Sequence, residues 1–461
     1  MSEADADTST HEVGYLDGNP PKVINSDSIY LMLGLAVAIV MGCLLDRMST
    51  FKHFNAKNRE PFWVLLLVLV SYGYLIPGLV EVLFSFNLVF DTGTGGFFGI
   101  GPDSSFNHAP PTTETMLGLV RLLWETGSWL GAVLVVFYAI AIPVTKLILL
   151  LVGNLIQRDF PKASRRCIQS VQNISKWACP DMFAYILLMH LVRSLAHPPY
   201  LLANGRLDLG FTCFSLFCLG STIAALGIRV PDREHGCFQK LGRALTEKNL
   251  VLGVSVLFVL FAIPFFWGLN ETVMGLKVGQ LDPMISMTLS FVGLTPEKLK
   301  SDVSIMNCLG TLAEEISHGE MNSFIGFVMF SVFVIGMTLL DMIVLLWISI
   351  ASWRGRPVAR WMQLSWVLKK LSMVDVTCMG VLIVTMCMSM YRKYVEVDMG
   401  VGQWLLVSSE VIHYFTYYTV KGFTEVKDKL DLGNTMQMDE DEEETSDLSS
   451  STAIEEDHAW L

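Results

Sequence analysis

A chain of 461 residues with 52% hydrophobic and only 16% charged residues, and a mean hydropathy of +0.48, does not suit a soluble globular protein of this length. Its net charge of −12 comes mostly from a terminal acidic run, and no nucleic-acid partner is expected. The nine cysteines include no C-x-x-C pair and no pair of outer positions, so neither a zinc site nor a disulfide framework is expected.

In chain order, residues 1–28 are polar and precede nine apolar windows. These are Ile29–Leu45, Phe62–Leu83, Leu130–Val152, Met182–Leu195, Leu209–Ile228, Leu250–Leu269, Phe324–Ile350, Val376–Met390 and Val401–Val420. The pattern predicts an all-α polytopic membrane protein with about nine transmembrane helices. The first window lacks a basic leader and a small-residue cleavage site, and reads as an uncleaved helix within segment 29–60. Long outer segments are expected at 84–128, with a Gly-rich patch from Gly93 to Gly101, and at 270–323. Lys and Arg gather in 46–61, 154–177, 229–249 and 351–370. That bias puts the N-terminus outside or lumenal and the C-terminus cytoplasmic. Residues 421–461, with the run Asp439–Glu444, read as a solvated acidic tail.

Landmarks recur at nearly constant spacing: Gly127 with Gly319, Lys146 with Asp341, Asp181 with Asp375, and Pro77 with Pro264. Residues 61–228 and 248–420 therefore read as two four-helix repeats. An even number of helices makes them enter the membrane from the same side, related by an axis along its normal.

The residues that carry this pattern resemble the paraquat-inducible protein A family of integral membrane proteins. In the first repeat they are Trp124-Glu125-Thr126-Gly127-Ser128, then Ile142-Pro143-Val144-Thr145-Lys146, then Lys176-Trp177 leading to Asp181-Met182-Phe183. In the second, Leu371-Ser372-Met373-Val374-Asp375-Val376 is the clearer copy of the last element. The resemblance covers roughly 60–420. It implies a role in lipid movement or envelope homeostasis, with membrane lipid as partner and a lipid-binding MCE-domain protein as a further partner. Two departures bear on that second partnership: the cysteine-rich zinc-binding segments of many members are missing, and a first helix and an acidic tail are added.

Ionisable residues inside apolar windows are the candidate site. Lys146 sits about 10 Å from the basic end of its helix at 1.5 Å per residue, and Asp181 enters the returning helix at comparable depth. Asp341 and Asp375 are their counterparts, so one lysine and three aspartates are expected in one polar pocket for transport or gating. One cation cannot neutralise three carboxylates, and at least one aspartate is expected to hold a proton. The competing explanation is a snorkelling lysine and helix-capping aspartates. Weaker candidates are Glu81 and the pair Glu410 and His413, three residues apart and too few to specify a metal. Pro77, Pro143 and Pro264 are expected helix breaks. No nucleophile–base set or cofactor fingerprint is evident, so neither enzyme activity nor a cofactor is expected. Two functions compete: lipid transport coupled to protons, and a membrane scaffold or receptor-like protein acting through outer loops and tail.

Overall fold

The computed structural model describes residues 26–47, 61–90, 112–156, 160–194, 201–228, 246–278, 300–388 and 395–427. Most of the polar N-terminus, the Gly-rich patch, the basic loops 48–60 and 229–245, and residues 428–461 lie outside them, while residues 421–427, expected in the solvated tail, are helical with Phe423 and Thr424 buried. The chain divides into two compact units: residues 1–231 with 263–339 and 367–410, and residues 232–262 with 340–366 and 411–461.

The protein is mostly helical, and among the described residues seven helical stretches are long and apolar enough to cross a membrane. The chain begins with α1 (Ser26–Arg47) and α2 (Phe62–Val80). Pro77 stands one turn from the end of α2 without interrupting it, and the Glu81 N–H closes the helix on Pro77 O at 2.8 Å. Here the structure corrects an expectation. The apolar run does not continue as helix to Leu83 but turns into strand β1 (Val82–Phe90), whose aromatic and branched residues suit a pleated surface. β1 pairs antiparallel with β2 (Thr112–Thr115) on one side and β3 (Leu201–Leu207) on the other. A second small sheet, order β5-β4-β6, joins β4 (Met274–Val278), β5 (Lys300–Val303) and β6 (Val395–Met399). The long outer segments expected as loops thus contain sheet.

Each sheet leads into an amphipathic helix with a hydroxyl cap. Thr115 Oγ1 accepts from Gly118 N at the start of α3 (Met116–Glu125). Ser304 Oγ accepts from Asn307 N at the start of α9 (Ile305–Ser317). Beyond α3 and α9 the chain reverses at Gly127 (φ +87°) and Gly319 (φ +96°), the left-handed region that glycine enters freely. Two long helices follow. α4 runs Trp129–Val136, passes through a π-helical segment Phe137–Ala141 and resumes as Ile142–Leu155. α10 runs Met321–Val328, through π segment Met329–Gly336, then Met337–Trp353. α5 (Pro161–Ile174), a 3₁₀ turn Ser175–Ala178, α6 (Pro180–Ser194) and α7 (Leu209–Gly227) complete the first half. α8 (Glu247–Asn270), α11 (Ala359–Leu371), α12 (Val374–Met388) and α13 (401–427) belong to the second.

Nine spans were expected. The difference lies in α6, only 15 residues long, and in α13, made less apolar by Ser408, Ser409, Glu410, His413, Thr416 and Thr419. α6 can be short because protein surrounds it: Pro180 to Leu187, Met189 and Leu191 are all buried. It packs on α12 at close range, where a Cβ on Gly380 would come within 3.0 Å of Phe183 Cβ and Pro180 O.

Candidate functional site

Among the described residues, ionisable side chains are buried in the helices of both units. In the first unit Lys146, on the helix after the π segment, is 1% exposed. Its ammonium donates to Ser175 Oγ on the 3₁₀ turn and, at 2.8 Å, to the Ser221 carbonyl on α7. The partners are neutral oxygens. Asp181, in the first turn of α6, is 0% exposed, and neither carboxylate oxygen has a hydrogen-bond partner. Tyr138 on the π segment, Tyr185 and Cys218 lie within its electrostatic reach. Lys146 and Asp181 are thus both buried in one unit, but the ion pair expected between them is not what the helices build. The 3₁₀ turn brings the Ser175 hydroxyl and the α7 backbone to the ammonium first.

Asp375 finds another lysine. Lys176 Nζ meets Asp375 Oδ2 at 2.5 Å, with both side chains largely buried. Sequence reasoning counted Lys176 among loop cations. Its position just before Trp177, in the motif whose second copy ends at Asp375, was the available signal. Lys146 and Asp375 thus each have partners of their own.

In the second unit Asp341 lies on the helix after the longer π segment, and Asp341, Ser365 and His413 are each 0% exposed. Ser365 Oγ on α11 donates to Asp341 Oδ1 at 2.6 Å, and His413 Nε2 on α13 stands 2.8 Å from Oδ2. Phe261 on α8 covers the imidazole, ring centroids 6.1 Å apart. Both carboxylate oxygens are thereby engaged, Oδ1 by a hydroxyl and Oδ2 by the imidazole. Asp341 and His413 were each singled out by sequence, His413 for a different partner; Ser365 was missed, one serine among many. Further along this unit, Lys427 Nζ bonds Glu247 Oε1 at 2.6 Å and the Ser352 carbonyl at 3.0 Å.

Of the remaining candidates, Glu81 is exposed at the end of α2, while Glu410 is 6% exposed on α13. The Pro143 carbonyl accepts from Tyr72 OH at 2.9 Å, and Pro264 lies inside α8. Among the described residues no group of three metal-ligating side chains comes together. Cys308 is 1% exposed, and burial pushes its thiol up to about 12. A residue that sequence missed ties α10 to α7 and β3 in the first unit: Asn322 accepts from Thr212 Oγ1 at 2.7 Å and donates to the Leu207 carbonyl at 2.8 Å.

Residues 107–230 match the model of a family described as paraquat-inducible protein A. The match takes in Gly127, Lys146, Lys176 and Asp181. No curated protein and no solved structure matched the chain.

Proposed function

We propose that this multi-pass membrane protein, of the paraquat-inducible protein A family through residues 107–230, takes part in lipid transport or membrane homeostasis coupled to proton movement. The single observation that carries the coupling is Asp181, a carboxyl group with no solvent exposure and no hydrogen-bond partner, in the same unit as a buried lysine bonded to other groups. A fully ionised carboxylate there would be costly, by roughly several kcal/mol. A group so placed is neutral when it holds a proton and unstable when it does not, which suits a proton-driven conformational step.

We further infer that the two halves are internal repeats. The sheet orders β2-β1-β3 and β5-β4-β6 support this, as do the matching turn glycines. So do the π segments. Their first residues, Phe137 and Met329, are 192 apart, and their last, Ala141 and Gly336, are 195 apart. The drift in spacing between Gly127/Gly319 and Lys146/Asp341 thus falls within the π segments. The basic loops support an outside or lumenal N-terminus.

The test uses the full chain purified from membranes, with Asp181→Asn and Lys146→Met beside it. Expected is a loss of co-purified phospholipid and of acid-driven proton uptake in proteoliposomes for Asp181→Asn, with the fold intact by circular dichroism. Unchanged lipid content and proton uptake in both variants would defeat the transport reading. A scaffold acting through its outer segments and tail would then be the better account.

A further inference from the structure

A separate feature of the second unit has no part in the buried sites. α10 ends at Trp353, and the chain turns into α11 through Arg354-Gly355-Arg356-Pro357. The turn is held firmly. Gly355 has φ +66°, the Arg356 N–H returns to Ala351 O at 3.0 Å, and the Gly355 N–H returns to Ser352 O at 3.1 Å. That is the paired bonding of a Schellman cap, which fixes where both arginines leave the backbone. Arg354, Arg356 and Arg360 are all exposed, and none has an ion-pair partner among the described residues. No Asp or Glu occurs from Met342 to Trp366, so nothing within the segment offsets these three positive charges.

Around them stand aromatic rings left uncovered by protein. Trp347 is 43% exposed, Trp353 49% and Trp361 41%, and the Trp347 and Trp361 rings meet edge-on with centroids 6.2 Å apart. Leu364 continues the same apolar surface. Tryptophan seeks the level where acyl chains meet headgroups, with its ring in the apolar layer and its N–H toward water. Arginine presents a planar fork that matches phosphate oxygens two at a time. Apolar rings beside unpaired guanidinium groups, at the end of an apolar helix, fit an amphiphile with an anionic phosphate head.

We propose that Trp347, Trp353, Trp361 and the Arg354/Arg356/Arg360 cluster form a binding surface for anionic phospholipid, which holds this unit at the membrane surface. It does not rest on the transport reading, since it would serve a transporter or a scaffold alike. The charge chemistry has one rival within the chain, the acidic run Asp439–Glu444. The exposed tryptophans favour lipid over that peptide, because the run Asp439–Glu444 itself contains nothing apolar to cover them.

The experiment reconstitutes the full chain in bilayers of zwitterionic lipid doped with brominated phosphatidylglycerol or, at equal mole fraction, brominated phosphatidylcholine. Tryptophan quenching is then read. Excess quenching by the anionic lipid is expected, shrinking in high salt as screening grows. In Arg354→Gln/Arg356→Gln/Arg360→Gln the lipid preference should fall by about fivefold for each arginine removed at low salt. Trp347→Phe/Trp353→Phe/Trp361→Phe should remove the excess signal. All six side chains are exposed, so melting temperatures should stay close to wild type and report that the fold is kept. Equal quenching by the two lipids in the wild-type chain, or an excess untouched by the arginine changes, would overturn the proposal. So would an excess seen only after truncation at Leu430, which would make the tail the occupant of the surface.

Discussion

Lys146 and Asp341 occupy like places in the two halves. Lys146 lies five residues beyond Ala141, the end of one π segment, and Asp341 lies five beyond Gly336, the end of the other. Each is buried and each takes one partner from the basic segment that follows its helix and one from the last helix of its half. Ser175 and the Ser221 carbonyl serve the lysine; Ser365 and His413 serve the aspartate. The sign of the charge is reversed, and so is the nature of the compensation. The lysine is held by a hydroxyl and a backbone carbonyl, whereas the aspartate is held by a hydroxyl and an imidazole. The backbone framework sets where a buried ionisable group stands. The residues that the neighbouring helices offer decide whether its partners are neutral oxygens or a second ionisable group.

The largest expected effect breaks this comparison at its ionic side. Asp341→Ala removes the centre of the second site and leaves His413 and Ser365 buried without their carboxylate. Loss of one member of a buried charged pair costs about 3–5 kcal/mol. Lys146→Met, by contrast, should stay within about 1 kcal/mol of wild type, because an apolar chain of similar length fills the space and the partners left behind are neutral. Unfolding in detergent micelles would measure both. Comparable losses at the two positions would show that the lysine site is ionic after all.

A smaller effect sharpens the same contrast. Ser175→Ala and Ser365→Ala each delete one hydroxyl bonded to a charged group, worth about 1.5–3 kcal/mol. The loss should be greater at Ser175, since Lys146 would retain only the Ser221 carbonyl, while Asp341 would keep His413. The reverse order, in the same unfolding measurement, would mean that Ser365 positions the pair.

How much of this was legible beforehand follows from what each feature needs. The membrane class and most helix positions are written in long apolar windows, which require no tertiary knowledge. Asp341 stood out for the same reason, a carboxylate in the middle of such a window. Its partners did not stand out, because Ser365 lies on an amphipathic helix and His413 beside other polar residues, and only packing selects one of each. Lys176 was hidden in a basic loop where cations are common. The strand Val82–Phe90 was hidden in an apolar run, since alternation is invisible when both faces are apolar or aromatic. Spacing along the chain does not select the nearest neighbour of a charge: Asp375 meets Lys176, and Lys146 meets Ser175 and the Ser221 carbonyl.

The smallest expected effect tests whether the two halves are alike where their chemistry is not involved. Gly127 and Gly319 both turn the chain at positive φ, ahead of the two π-interrupted helices. A Cβ at either position would meet nothing within 4 Å, so steric crowding contributes nothing. What remains is the conformational penalty of holding an L residue in the left-handed region, about 1 kcal/mol, partly offset by the stiffer unfolded chain. Gly127→Ala and Gly319→Ala should therefore destabilise by equal amounts, within about 0.5 kcal/mol of each other, and leave lipid content and proton uptake unchanged. A clear inequality would place tension in one turn that the other lacks, and would count against the two halves being copies of one unit. Equality would place the difference between them where the sequence puts it, at a lysine in one half and an aspartate in the other.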